Sequence, residues 1–441
     1  MLDKTHFPFG AIDIIRTLKG KGYPAFLVGG CVRDLLLGTL PDEWDITTSA
    51  KPEEVCKLFD KVIPTGIEYG TVTILLPDGQ YEVTTFRSDE KYIDGRHPSN
   101  VRFTDDIHQD LSRRDFTINA LAYDPIEKKL IDDFNGQKDL ADKVIRAIGD
   151  PVERFSEDGL RSIRACRLAA KLGFTIEEKT FEAITKTLAV TQKVAPERVH
   201  DEIIKLLSAQ KPSIGFDLMS KSGLLKIILP KLEDCRDVEQ PPEFHKYDVY
   251  WHNLQACDAA PQNNPIVRLA ALLHDIEKPS CKVDYTFYGH DQKGAETVKN
   301  VLQRLKFSNR DIDQVAGLIE NHMFDYSSKW GDAAVRRFIR RAGLENIANL
   351  FALRIADTKA MEREIDSGYL AELQARIDKI IAEQNALHVK DLKVNGKDVM
   401  QTLNLSPGPE VGKVLTALLE KVLDNPALNE REKLLKMIRD V

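Results

Sequence analysis

The spacing of apolar residues changes near residue 150 of this 441-residue chain, and that change limits what the chain can fold into. Before it, short apolar runs meet turn residues. PAFLV at 24–28 ends at Gly29-Gly30, TVTILL at 71–76 meets Pro77-Asp78-Gly79, and YEVTTF follows at 81–86. Two such runs joined by that turn predict a β-hairpin. Helical patterns lie between the strand runs at 31–38 and 52–59. Beyond residue 150 apolar positions recur at helical spacing, as at Leu160, Ile163, Leu168 and Leu172, with Gly173 closing the segment. Strand signals nearly vanish there, apart from a short candidate around 282–288. The length exceeds what one hydrophobic core supports, so several domains are expected. The predicted fold is α+β. A head with a mixed sheet and helices covers 1–140, an all-α neck 141–235, a helical body 236–365 and a helical tail 366–441. The polar, Pro-rich stretch 236–245 marks one boundary and the region near 365 another.

Charge and cysteine usage bound the function. With 62 Lys and Arg against 69 Asp and Glu, the net charge of −7 argues against coating nucleic acid by bulk charge, but leaves room for a local basic groove. No apolar run reaches the roughly 20 residues of a membrane helix, and the first residues lack the pattern of a secretion signal. The six cysteines form no CxxC pair, which argues against a disulfide framework or a thiolate zinc site. A cytoplasmic protein with reduced thiols is expected, with no membrane association and no obligate protein partner.

Several motifs in the first third carry chemistry. Gly29-Gly30 ends an apolar strand before a helix-like segment bearing Arg33, which allows close backbone approach to a phosphate; a plain tight turn reads the same way. Glu43 and Asp45 flank Trp44, so on a strand both carboxylates share a face and repel unless a cation such as Mg²⁺ sits between them. A solvated acidic turn after Pro41 is the other reading. Glu82, between Tyr81 and Val83, is a third metal ligand or base, or an outward strand residue. RRDFTIN at 113–119 suits phosphate and ribose recognition, or a surface ion-pair cluster. In EDGLRSIRACR at 157–167, Asp158, Arg161, Arg164 and Arg167 recur every three residues. On one helix they form a drifting stripe, either of solvated ion pairs or of groups able to read a nucleobase edge.

Taken together, LVGGCVRDLLLG (27–38), EWDITTSA (43–50), YGTVTI (69–74), EVTTFR (82–87), DGRHPSNVRF (94–103), RRDFTINALAYD (113–124), EDGLRSIRACRLAAKLGF (157–174) and PERVHDEIIKLL (196–207) resemble the class II nucleotidyltransferases. Their order and spacing resemble the bacterial CCA-adding tRNA nucleotidyltransferases within that class, as do NGKDVM and PGPEVG in the tail. The resemblance implies a palm-like head and template-free addition of C, C and A to a tRNA 3′ end from CTP and ATP. It further implies that Gly30 and Arg33 hold the triphosphate, Glu43 and Asp45 bind Mg²⁺, and Glu82 is the third catalytic carboxylate. Arg114 would contact phosphate and Asp115 the ribose. Asp158 and Arg161 would pair with the incoming base, supported by Arg164 and Arg167. Many members carry Asp where this chain has Glu43, one methylene longer. The segment 88–103 would be the flexible loop needed for the final A. A poly(A) polymerase shares the same head and is the alternative within the class.

A second constellation lies downstream. His252, His274-Asp275, His290, His322 and Asp357 follow an H…HD…H…H…D order that resembles the HD-domain phosphohydrolases. Imidazoles and carboxylates from separate helices would bind one or two divalent ions, Ni²⁺, Mn²⁺ or Mg²⁺. An HD phosphohydrolase acting on RNA ends is thus an alternative from another class. For tRNA binding, Arg336, Arg337, Arg340 and Arg341 form two i,i+4 pairs on one predicted helix face, and Lys413 follows Pro407-Gly408-Pro409. A solvated charged face reads the same way.

Overall fold

The computed structural model describes residues 7–89, 101–362, 368–383 and 386–440. It forms two compact units, Met1–Pro230 and Lys231–Val441. The fold is α+β, a mixed-sheet head followed by helices.

Among the described residues, the first unit holds a seven-stranded sheet. In chain order its strands are β1 (Ala25–Val28), β2 (Asp45–Thr48), β3 (Val62–Gly66), β4 (Thr71–Leu76) and β5 (Gly79–Thr85). A separate antiparallel ribbon, β6 (Arg87–Asp89) with β7 (Val101–Phe103), precedes β8 (Ala122–Asp124) and β9 (Lys129–Ile131). The sheet order is β3-β4-β5-β2-β1-β8-β9. β4 and β5 form the expected hairpin, with Val72 opposite Val83 and Leu76 opposite Gly79. β2 and β5 run parallel, which requires the long crossover through β3 and β4. The apolar character of AFLV is spent on burial: Ala25 and Leu27 are inaccessible, and Val28 packs in one cluster with Phe86, Ile107, Leu111, Ala120, Ala122 and Ile148. That cluster supports the end of the sheet where β1 gives way to Gly29.

The helical part of this unit begins at Pro151–Glu157, whose Asp150 cap accepts the Val152 and Glu153 amides. Leu160–Leu172 follows and ends at Gly173, φ +67°. Pro196–Leu207 packs against it and buries Val199, Ile203, Leu206 and Leu207.

In the second unit, helices Val249–Ala259, Pro265–Leu273, His290–Arg304, Asn309–Asn321 and Ile347–Ala360 pack together. Toward the C-terminus a separate cluster around Val399, Leu418, Leu419, Val422, Leu423, Leu434 and Ile438 closes its own core. The strand candidate at 282–288 is not a strand; only an isolated bridge joins Val283 and Thr286, because three residues later the chain is already in a helix-leading turn before His290. The division between units falls at 230/231, a few residues before the Pro-rich stretch. The boundary expected near 365 lies outside the described residues. Among the described residues no helix is long and apolar enough to cross a membrane.

Candidate active site and metal centre

Parallel pairing of β2 with β5 sets Asp45 directly opposite Glu82, and paired residues project to the same face. Glu43 corrects the strand expectation. β2 begins only at Asp45, whose partner Glu82 is the first that β5 offers it, and Glu43 is exposed in the bend after Pro41. The three carboxylates still act on one another. Burial pushes the Asp45 carboxyl up, with Glu43 adding to the effect while Arg114 and Arg33 oppose it. Burial, then Asp45 and Glu43, push Glu82 up as well. Carboxylates that resist ionising together are a fitting donor set for a hard divalent cation.

Gly29 follows β1 at φ +75°, a conformation that favours glycine. A Cβ there would also stand 2.9 Å from Arg114 Nη1 and 3.9 Å from Asp45 Oδ2. The expected residue, Gly30, has more room, with Arg33 3.6 Å from a built Cβ. Arg33 is buried. Its Nε bonds Asp34 and its Nη1 bonds Asn119, each at 2.7 Å, so it braces the turn and does not line the cleft.

Asp45 and Glu82, but not Glu43, line a cleft of about 420 Å³ together with Arg87, Arg113, Arg114, Asp115, Asp158, Arg161, Arg164 and Arg198. Fully buried Asp110 holds Arg113 at 2.8 Å and Arg114 at 3.4 Å. Asp115 accepts from Arg164 Nε at 2.7 Å and Asn119 Nδ2 at 3.2 Å. Burial would raise the Asp115 carboxyl, but the Arg164 guanidinium outweighs it and holds the group well below the usual carboxylate range. Arg167 is buried against Glu202 at 2.5 Å, behind Arg164 and outside the lining.

The structure breaks the expected Asp158–Arg167 stripe. The helix Pro151–Glu157 ends at Asp158 (φ −146°, ψ 108°) and the next begins at Leu160. Gly159 between them touches Thr191 so closely that a Cβ would lie 2.6 Å from its Cα, which pins the break. Asp158 therefore faces Arg198, at 3.0 and 2.7 Å, and does not pair with Arg161. Arg161 bonds Glu157, the Arg154 carbonyl at 2.7 Å and the Arg113 carbonyl at 3.1 Å. The motif reading overlooked Arg198 and Asp110. Pro196 at a helix start was the available signal for Arg198, since it sets that residue in the first turn. Residues 90–100 of the loop at 88–103 lie outside the described residues.

In the second unit the six predicted groups converge. Two buried triads, His252–His274–Asp275 and Asp275–His290–His322, share Asp275. Asp275 Oδ2 lies 3.3 Å from His274 and 3.7 Å from His252, while Oδ1 lies 3.2 Å from His290 and 3.8 Å from His322. Asp357 Oδ1 joins the first triad, 3.0 Å from His252. Carbonyls of Ala271, Phe287 and Ile319 accept from Nδ1 of His274, His290 and His322. A carbonyl cannot donate, so these rings carry the proton on Nδ1 and turn Nε2 toward Asp275. Neither Asp275 oxygen makes a well-aligned hydrogen bond, although Lys278 Nζ stands 2.6 Å from Oδ2. A buried carboxylate so placed among Nε2 atoms fits a divalent ion.

The basic face expected at Arg336–Arg341 needs correction. Arg336 is buried, its Nε 2.7 Å from the Leu423 carbonyl and its Nη2 3.3 Å from that of Asp424. Arg337 pairs with Glu420 and Asp424, and Arg340 with Glu420. The cause is the helix Pro409–Asp424, which packs on this face; Arg337 and Arg341 are both exposed, but Arg337 is tied to that helix. Lys413 is exposed and pairs with Glu410 at 2.8 Å.

Residues 25–146 match the poly(A) polymerase head domain, 173–235 the probable RNA- and SrmB-binding site of polymerase A, and 289–438 a putative tRNA nucleotidyltransferase domain 2. The CCA-adding enzyme of Lactococcus lactis subsp. lactis is 34% identical over 435 residues, 96% of this chain and 94% of that protein. That of Ligilactobacillus salivarius is 33% identical, covering 97% and 95%. The crystal structure of the Bacillus stearothermophilus CCA-adding enzyme in complex with CTP superposes with a TM-score of 0.73 at 28% identity, over 98% of this chain and 96% of that one. The Thermotoga maritima CCA-adding enzyme complexed with tRNA shares the fold at 20% identity, with a TM-score of 0.55 and coverage of 99% and 96%.

Proposed function

The chain belongs to the CCA-adding enzymes, nucleotidyltransferases built on the poly(A) polymerase head, and from that premise we infer how its own residues carry out the reaction. The enzyme adds C, C and A to tRNA 3′ ends from CTP and ATP, and a divalent cation serves the transfer. Relatives matched over nearly the whole chain are CCA-adding enzymes, so poly(A) synthesis is set aside.

The observation that carries the residue assignment is the opposition of Asp45 and Glu82 at the mouth of an arginine-lined cleft. We assign Asp45, Glu82 and Glu43 as the carboxylates that would hold Mg²⁺, which when bound offsets triphosphate charge and makes the attacking hydroxyl more acidic. The extra methylene of Glu43 lets it reach from the bend outside the strand. Gly29 and Gly30 admit the triphosphate to the backbone, with Arg33 bracing that turn. Arg114 meets the phosphate charge. Asp115, held in place by Arg164, lines the cleft on the side where we place the ribose. Asp158 and Arg161 read the base, and Arg164 and Arg167 anchor that side through Glu202. The tRNA 3′-oxygen bonds to the α-phosphorus as the bond to pyrophosphate breaks, so positioning and charge complementarity do most of the work. Arg341 and Lys413 remain as candidate backbone-phosphate contacts.

For the second unit we propose an HD-type centre. His252, His274, Asp275 and Asp357 on one side, and Asp275, His290 and His322 on the other, would hold one or two divalent ions, Ni²⁺, Mn²⁺ or Mg²⁺. Such ions supply Lewis acidity toward a phosphoester. What supports this is the pair of buried triads meeting at one shared buried carboxylate, that of Asp275. The test pairs two variants. Asp45→Ala should abolish nucleotide incorporation and spare phosphatase activity with Ni²⁺ or Mn²⁺, and Asp275→Ala should do the reverse. Phosphatase activity that survives Asp275→Ala would overturn the second assignment.

A further inference from the structure

We propose that Arg198 is a specificity-determining residue of nucleotide addition, which positions Asp158 so that its carboxylate accepts a single N–H donor from the incoming base. The inference rests on Asp158 as a base reader. A carboxylate offers about four lone-pair sites. Three are filled by the chain itself. Arg198 Nη1 donates to Oδ1 at 3.0 Å, Arg198 Nη2 donates to Oδ2 at 2.7 Å, and the Leu160 amide donates to Oδ1 at 3.1 Å. Among the described residues the one site left is on Oδ2, and Asp158 lines the cleft.

The two-point guanidinium contact does two things. It stops rotation of the carboxylate, because both oxygens are tied to one rigid planar group. It also presents the base with an oxygen that accepts, because the guanidinium itself has only donors to give. Cytosine and adenine present an exocyclic amino donor on this edge, whereas uracil and guanine present a carbonyl acceptor. A fixed acceptor oxygen of Asp158 with one open site takes the first pair and repels the second. Both ends of the contact are held independently. Asp158 lies in the break pinned by Gly159 against Thr191, and Arg198 stands in the first turn of Pro196–Leu207. The side chain of Arg198 is 27% exposed, so its truncation leaves no large cavity.

The experiment measures kcat/KM for CTP and for UTP on tRNA lacking its CCA end, with wild type, Arg198→Ala, Arg198→Lys and Asp158→Asn. The inference expects the CTP-over-UTP preference of Arg198→Ala to fall about tenfold or more, the range set by one directed polar contact. Arg198→Lys keeps the charge without the fork and should stay near the Ala value. A merely structural role would lower both substrates together and keep the ratio. Wild-type preference in Arg198→Ala, or full recovery by Arg198→Lys, overturns the inference. If Asp158→Asn loses preference while Arg198→Ala keeps it, only Arg198 is wrongly assigned. If neither variant changes the ratio, base reading by Asp158 falls with it.

Discussion

Asp45 and Glu82 occupy directly opposed positions on the parallel strands β2 and β5. Few arrangements place two carboxylates so rigidly side by side, because strand register leaves no freedom to swing apart along the backbone. Both carboxyls are pushed up, Asp45 and Glu82 each by burial first and then by neighbouring acids. A group whose proton affinity is higher in the folded chain than in the unfolded one favours folding at low pH and ceases to do so as pH rises through its folded value. At neutral pH the ionised pair therefore weakens the metal-free fold, and a bound cation relieves it.

Glu82→Gln should raise the melting temperature of the metal-free protein at neutral pH and shrink the further rise on adding Mg²⁺. Its rate of nucleotide incorporation should fall roughly 100-fold or more, as on removing one preorganised charge from a site of this kind. Calorimetry with and without chelator reads the first effect. A lower metal-free melting temperature would contradict the repulsion.

Gly29→Ala tests the turn after β1. At φ +75° with Arg114 Nη1 2.9 Å from the new methyl, the variant should lose about 1–2 kcal/mol of stability. It should lose activity beyond that, since Arg114 must move. Gly30→Ala, with more room, should be milder in denaturant titrations and in rate.

The four arginines of 336–341 should separate by role. Arg336→Ala leaves the carbonyls of Leu423 and Asp424 without its guanidinium and should destabilise the second unit by about 1–3 kcal/mol. Arg341→Ala should leave unfolding unchanged and weaken tRNA binding most at low salt. Urea unfolding and binding at two salt concentrations distinguish them; equal stability loss in both variants would contradict the assignment.

The histidine centre should release protons when it takes metal. Burial would lower His274, but Asp275 and Asp357 outweigh it and raise the ring to about 10, so in the metal-free protein it is charged at neutral pH. Ligation needs the neutral ring. Metal affinity should therefore climb as pH rises toward 10, and titration calorimetry in buffers of different ionisation enthalpy should show proton release. Between pH 6.5 and about 10 the metal-free protein should lose the stability that charged His274 contributes. Proton uptake on binding would contradict this picture.

Much of this was legible in the residues and some was not, for a consistent reason. Local patterns carried β1, the β4–β5 hairpin and the helices, because period and turn chemistry act over a few residues. The six histidine and aspartate groups that cluster in the second unit were visible as a pattern, since each lies on a helix or just past its end. What spacing cannot reveal is which distant element covers a face. Arg336 reads as exposed until the helix Pro409–Asp424 closes over it. Asp158 reads as helical until Gly159 meets Thr191, and its true partner Arg198 lies 40 positions away. Glu43 misled because strand pairing begins only at Asp45, where β5 supplies Glu82 as a partner.

The most direct test of the central claim is the length of the product. Purified protein is given tRNA ending at its discriminator base, with CTP and ATP together, and the 3′ ends are sequenced. The structure and its kinship predict growth by C, C and A and then arrest, with Asp45→Ala inert. Long adenosine tracts, addition of C alone, or undiminished growth by Asp45→Ala would contradict the account.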